Sequence, residues 1–151
     1  MIVTFFGHAQ FLVKKEYESA VLSILEEKIG DKSADIYLGG YGEFDNFAYY
    51  CCQKYKTTHP NISLLFVTPY ITTSYQENHL KYEKNRYDAI LYPPIENKPP
   101  RFAIVYRNQW MIDQADLIFF GITKKSGGAY KTYQYAKSKK KEILNLTGIH
   151  I

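Results

Sequence analysis

Cysteine is nearly absent from this chain of 151 residues, and the two present, Cys51 and Cys52, are adjacent. A bond between neighbouring cysteines is strained and no third thiol is available, so no intramolecular disulfide framework is possible. Arginine is scarce as well: of 19 basic residues, only Arg86, Arg101 and Arg107 carry a guanidinium. No stretch approaches the roughly 18 apolar residues that a membrane-spanning helix requires. No charged start followed by an apolar signal segment is found either, which sets the expectation of a reducing, cytoplasmic setting and no membrane partner. His59, His79 and His150 have no spacing that suggests a metal site, and nothing calls for a cofactor. Internal repeats and low-complexity segments are also missing.

What is present points to a packed core. Apolar residues make up 46% of the chain and aromatics 17%, which excludes global disorder. The length reads as a single domain over residues 1–151, with little room for a second core. Tyrosine accounts for 15 of the aromatics, and it suits half-buried positions, pocket walls and subunit contacts. The net charge is only +4, and the densest basic run is Lys137, Lys139, Lys140 and Lys141. Those lysines fall at the end of a predicted helix, where they complement the negative end of its dipole. The mild charge therefore argues against nucleic acid as a partner.

Apolar strands alternate with amphipathic helices from end to end. Strands are predicted at 2–6, 36–38, 62–67, 89–92, 116–120 and 142–146. Helices are predicted at 15–29, 44–55, 101–114 and 127–139, the first from Tyr17, Val21, Ile24, Leu25 and Ile29 at helical spacing. The polar, tyrosine-rich stretch 71–87 reads as a short helix or as a loop over a pocket. Strands that are nearly solid apolar runs are covered on both faces, as in a parallel sheet. The predicted fold is an α/β, three-layer, doubly wound sandwich with a mostly parallel central sheet. Ligands in such folds sit beyond the carboxyl ends of the strands, where the strand order reverses.

Several turns converge on that edge. Ser126, Gly127, Gly128 and Ala129 lie between a strand and a helix, with Lys131 and Thr132 in the first helical turn. Bare N–H groups at the positive end of a helix dipole are a ready phosphate site. A Walker A loop is excluded, because it would need glycine at Lys125 and Tyr130. The second glycine turn, Gly39-Gly40-Tyr41-Gly42, precedes Glu43 and Asp45, which serve either as acceptors for ribose hydroxyls or as caps of the next helix. Gly7 and His8 end the first strand, and Pro69 and Tyr70 follow the third. Tyr41 and Tyr70 read as base-stacking walls or as ordinary rim packing. Arg107 shares a helix face with Met111 and either clamps phosphate or pairs with Asp113 or Asp116. Trp110 and Tyr106 read as core or dimer contacts.

The strand-Gly-His start, the Gly-Gly-Tyr-Gly-Glu-Phe-Asp turn, the Tyr-Pro-Pro segment, Arg107-Asn108-Gln109-Trp110-Met111 and Gly127-Gly128-Ala129-Tyr130-Lys131-Thr132 together resemble the SLOG superfamily. That group takes in cytokinin-activating LOG phosphoribohydrolases, DprA-like proteins and small stand-alone bacterial members, the last being the most similar. The resemblance spans nearly the whole chain and implies a Rossmann-like fold that binds nucleotides or nucleotide-derived signals. It also implies dimers, since LOG-type members pair beside their ligand sites. The departures bear on activity. LOG enzymes carry Arg-Lys-x-x-Met, where this chain has Asn108 in place of the lysine. They also carry Pro-Gly-Gly-x-Gly-Thr-x-x-Glu, where this chain has Tyr130 and Lys131 for the Gly-Thr pair and no carboxylate between Gly127 and Lys141. Glycosidic cleavage needs such a group to stabilise an oxocarbenium-like transition state and activate water.

The expected function is therefore a non-catalytic module that senses or sequesters a phosphorylated small molecule, an adenine-type nucleotide or a related nucleoside phosphate. The alternative is a phosphoribohydrolase that uses Glu43 or Asp45 in place of the missing glutamate. Tyr130, Tyr133 and Tyr135, spread around one helix, add the expectation of a homodimer or larger homo-oligomer.

Overall fold

Phe5 and Phe119 stack face to face on neighbouring strands, with ring centroids 4.6 Å apart, and mark the middle of a six-stranded sheet. The computed structural model describes residues 1–149, and His150 lies outside them. Chain order is β1 (Ile2–Gly7), α1 (Lys15–Lys28), β2 (Ala34–Leu38), α2 (Glu43–Thr58), β3 (Ile62–Val67), α3 (Thr73–Tyr75), α4 (Lys81–Glu83), β4 (Ala89–Leu91), α5 (Ala103–Gln114), β5 (Leu117–Gly121), α6 (Gly127–Ser138) and β6 (Glu142–Asn145). Every strand pair is parallel, in the order β4-β3-β2-β1-β5-β6. The sheet is thus wholly parallel rather than mostly so. The chain winds outward from β1 to β4, then crosses back to β5, and the order reverses between β1 and β5.

Alternate residues of each strand feed two separate cores. Val3, Phe5, Ile36, Leu64 and Phe119 face α1 and α2. Phe6, Tyr37, Ile118 and Phe120 face α5 and α6, along with Met111 and Ala136. Cys51 and Cys52 are buried free thiols within the first core. Trp110 stacks flat on Tyr37 at 5.6 Å, Tyr133 packs edge-on against Phe120, and the Tyr135 hydroxyl donates to Asp113. These partners lie within the chain, and they occupy aromatic surface that the sequence assigned to a subunit contact.

Two predicted elements differ in detail. The helix expected from residue 101 begins with a single 3-10 turn, Pro100–Phe102, ahead of α5. The stretch 71–87 is helical but irregular, because α3 and α4 flank a π-helix at Gln76–Leu80. Such wide turns are rare and occur often at functional sites. No helix among the described residues is long and apolar enough to cross a membrane.

At the reversal point, Gly7 and Gly121 face each other in register. A methyl group on Gly7 would lie 2.1 Å from the Phe44 ring, and one on Gly121 would lie 2.3 Å from it. Phe44 of α2 is fully buried there and fills the space both glycines leave. Gly7→Ala is therefore expected to cost about 1–3 kcal/mol by overpacking, read by urea denaturation. In a Phe44→Leu background the added penalty should shrink. Strict additivity of the two changes would show that Phe44 is not what excludes the methyl.

Candidate functional site

A cleft of about 830 Å³ opens over the carboxyl ends of the strands, at the reversal point. The loop after β1 contributes Gly7, His8, Ala9 and Gln10, and the turn after β2 contributes Gly39, Gly40, Tyr41 and then Asp45. Phe66, Pro69 and Tyr70 come from the end of β3, and the irregular helical stretch adds Tyr75, Asn78, His79, Tyr82 and Glu83. Arg107 and Asn108 of α5 meet Lys124, Gly127, Gly128, Ala129 and Thr132 on the remaining side.

The fold does not bring every predicted residue to this cleft. Glu43 turns away, since its Oε2 accepts the Phe11 N–H at 3.0 Å and the residue lines a separate groove beside α1. It is thus not placed to share a reaction site with Asp45. Gly42, Ser126 and Lys131 also lie outside the cleft lining. Ser126 occupies the N-cap position of α6 without a side-chain capping bond. The cleft includes groups that sequence reasoning passed over: Asn108, Lys124, Tyr75, Asn78, His79, Tyr82 and Glu83.

Arg107 dominates the electrostatics. It is 5% exposed, and burial lowers its pKa. Its Nη1 donates to the Val67 carbonyl at 2.8 Å and the Gly39 carbonyl at 3.4 Å, and its Nε donates to Asn108 Oδ1 at 2.9 Å. Among the described residues Nη2 donates to no acceptor, and no carboxylate lies within ion-pair distance. Asp113 is engaged by Tyr135, and Asp116 accepts the Ile2 N–H. Neither aspartate pairs with Arg107. A chain of polar contacts runs onward from Asn108 Nδ2 to Thr132 Oγ1 at 3.4 Å, and from that hydroxyl to the Gly128 carbonyl at 3.0 Å. The buried cation is thereby tied to the first turn of α6.

Two further titratable groups line the cleft. His8 is buried, and its Nε2 has no hydrogen-bond partner. Burial, then the charge of Lys124, lowers its pKa and keeps the ring neutral near neutral pH. Asp45 is half-buried and accepts the Tyr41 N–H at 2.8 Å. Desolvation pushes its carboxyl up to about 7, against the opposing pull of that N–H and of Arg107.

The glycines of the two turns fall into two groups. A methyl on Gly39 would sit 3.1–3.2 Å from the Arg107 guanidinium, one on Gly40 would be 2.4 Å from Phe66, and one on Gly42 would be 2.5 Å from Ala9. The turn at 39–42 is therefore glycine-rich because other parts of the protein occupy the space, and no phosphate is needed to explain it. At Gly127 and Gly128 a methyl would meet nothing within 4 Å. Gly127 requires glycine for its φ of +88°. Gly128 is required by neither packing nor backbone.

The raised Asp45 carboxyl gives a pH signature. A folded-state pKa above the unfolded value of 3.8 means that stability falls as pH rises through this window, because the native state holds a proton the unfolded chain has released. Asp45→Asn keeps the acceptor for Tyr41 but cannot ionise. Its thermal midpoint relative to the parent should be higher at pH 8 than at pH 5, by the equivalent of about 1–2 kcal/mol. An offset that does not change with pH would place the Asp45 pKa at its ordinary value.

No protein-family model matches this chain, and no curated protein does. Solved structures of the same fold do match. DNA processing protein A from Helicobacter pylori, described for its single-stranded DNA binding mode, superposes with a TM-score of 0.59 at 16% identity, covering 96% of this chain and 64% of that one. DNA processing protein A (DprA) from Streptococcus pneumoniae gives 0.61 at 14% identity, covering 95% of this chain and 49% of that one. The chain thus spans about two thirds and one half of those proteins. The expectation that set nucleic acid aside in favour of a small molecule alone is corrected by the first of them, which carries this fold and binds single-stranded DNA. The chain has the DprA-like, Rossmann-type α/β fold that the sequence resemblance implied.

Proposed function

We propose that the cleft binds a nucleotide unit and seats its phosphate at the N-terminus of α6. The observation that carries this reading is Gly128. Glycine in the first turn of a helix weakens it by about 0.5–1 kcal/mol relative to alanine, yet here neither space nor backbone angle asks for it. Close approach of a ligand to the main chain supplies the reason, as it does at phosphate-binding helix starts. The surroundings agree: the free Nη2 of Arg107, Lys124 and the unpartnered Nε2 of His8 all belong to the same cleft.

The reading is one of binding, without cleavage of the glycosidic bond. α6 carries no carboxylate, and Glu43 is engaged by the Phe11 N–H outside the cleft. Of the alternative pair Asp45 alone lines the cleft, where it accepts the Tyr41 N–H and has no carboxylate partner from Glu43. A second reading is that the unit belongs to a single strand of DNA. It is favoured by Tyr41 and Tyr82, which border the cleft and are 76% and 61% exposed. Aromatic rings at such positions stack flanking bases without regard to sequence. The solved neighbour that binds single-stranded DNA supports it as well.

Calorimetry with nucleoside monophosphates and with a short single-stranded oligonucleotide tests both. Micromolar binding of a monophosphate supports the first reading. Affinity that grows with strand length and falls steeply with added salt supports the second. A well-folded sample that binds none of them overturns both. Gly128→Ala should raise the thermal midpoint, by the equivalent of about 0.5–1 kcal/mol, and weaken phosphate binding at the same time. A variant that is stabilised with unchanged affinity would remove Gly128 from the site.

A further inference from the structure

We infer that Asp45 reads the sugar of the ligand through its free hydroxyls, so that the cleft selects ribonucleotides. The inference rests on the nucleotide reading above and names the part of the nucleotide that this reading leaves open. Two carboxylates line the cleft, Asp45 and Glu83. Glu83 is paired with Arg86 at 3.6 Å, and its Oε2 is closed to solvent. Asp45 is the open one. Its Oδ2 accepts the Tyr41 N–H at 2.8 Å, which closes the turn ahead of α2 and accounts for one oxygen. Oδ1 meets no donor among the described residues, and no cation stands within ion-pair distance of the group. It also keeps contact with solvent, because the buried side-chain atoms without a partner are His8 Nε2 and Glu83 Oε2. A half-buried carboxyl with one oxygen bonded and the other open to a cleft is suited to a donor on a ligand.

Its place along the cleft is that of the sugar. Across the opening the strand order runs β3, β2, β1, β5. Lys124 and Gly128 follow β5, Asp45 lies in the first turn of the helix after β2, and Pro69 and Tyr70 follow β3. Each of these segments begins at the carboxyl end of its strand. Tyr70 stands edge-on to Tyr75 at 5.3 Å, and the two rings form an aromatic wall. Donors for a phosphate therefore stand on one side of Asp45, and aromatic surface for a base stands on the other. A nucleotide carries its groups in the same sequence, with the sugar between phosphate and base.

The chemistry of a hydroxyl fits this carboxyl better than that of a base. Only one oxygen is open, so a base edge with two donors finds one acceptor where a bidentate contact needs two. A hydroxyl donates and accepts through the same oxygen. It can therefore bond the carboxyl with or without its proton, and desolvation has pushed this group up to about 7. An amine or ring N–H only donates, and it loses its acceptor when the proton sits on Oδ1. Ribose offers two hydroxyls on adjacent carbons. A 2′,3′-dideoxyribose has neither, and an internal residue of a DNA strand has neither free.

Calorimetry on the full chain with AMP, GMP and CMP, each beside its 2′,3′-dideoxy counterpart, tests the inference. For whichever base binds, the ribonucleotide is expected to bind at least about tenfold more tightly than its dideoxy form. Asp45→Ala should bring that ratio within about twofold, with the dideoxy form held no less tightly than by the parent. The dideoxy ligand separates sugar reading from the turn that Oδ2 closes, since a damaged cleft would lose both ligands alike. Equal affinities for the two forms in the parent protein, or a ratio unmoved by Asp45→Ala, would overturn the inference and leave the nucleotide reading standing. Failure of every ligand to bind would overturn both.

Discussion

A single buried guanidinium organises the working end of this protein. Arg107 cannot keep its hydration at 5% exposure, so its donors must be met from inside. The Val67 and Gly39 carbonyls meet them, at the ends of β3 and just past β2, and Asn108 meets a third. This one group therefore fixes how two strand ends sit against α5. The demand also propagates to composition, because Gly39 has no room for a side chain beside the guanidinium. Through Asn108 and Thr132 the same constraint reaches the first turn of α6. The guanidinium lines the cleft at the place in the strand order where such a fold opens, with Nη2 donating to no acceptor among the described residues.

Most of the architecture was legible because the physical signals were redundant. Solid apolar runs such as Ile118, Phe119 and Phe120 allow few arrangements other than a covered parallel strand, and the helices between them showed their spacing. The pairing of Arg107 with Met111 on one face also held, with both buried under the sheet edge. The glycine turn at 39–42 shows the limit of the method. From sequence alone, glycine kept small for a ligand looks the same as glycine kept small for Arg107, Phe66 or Ala9. Only the neighbours in space separate the two cases.

The placement of Glu43 and the cleft residues of the stretch 71–87 were missed for different reasons. Glu43 and Asp45 are two apart at the start of a helix, which sets them about 200° apart around its axis. Only one of them can face a given cleft, and that signal was present in the numbering. The stretch 71–87 carried its signal in the numbering too, since Tyr75, His79, Tyr82 and Glu83 are spaced i, i+4, i+7 and i+8 on one helical face, but these are polar and half-polar side chains and form no apolar stripe. Net charge misled in another way, since +4 over the whole chain says little about donors concentrated at one edge of a sheet.

The Asp45 carboxyl and the Arg107 guanidinium bound what the cleft can hold. Burial raises the first to about 7 and lowers the second, so each is costly to keep charged and each eases that cost for the other. An anion seated against Nη2 takes over the role of Asp45 toward Arg107, and its own negative charge pushes the carboxyl higher still. Occupancy and proton uptake are then one linked event, because the same anion that satisfies the arginine makes the ionised aspartate harder to sustain. His8 lines the same cleft, and an anion bound near it would favour its protonated form in the same direction. On the reading proposed above, such a floor would hold a phosphate more firmly as the pH falls through neutrality. The glycine start of α6, whose N–H groups do not titrate, contributes equally at every pH.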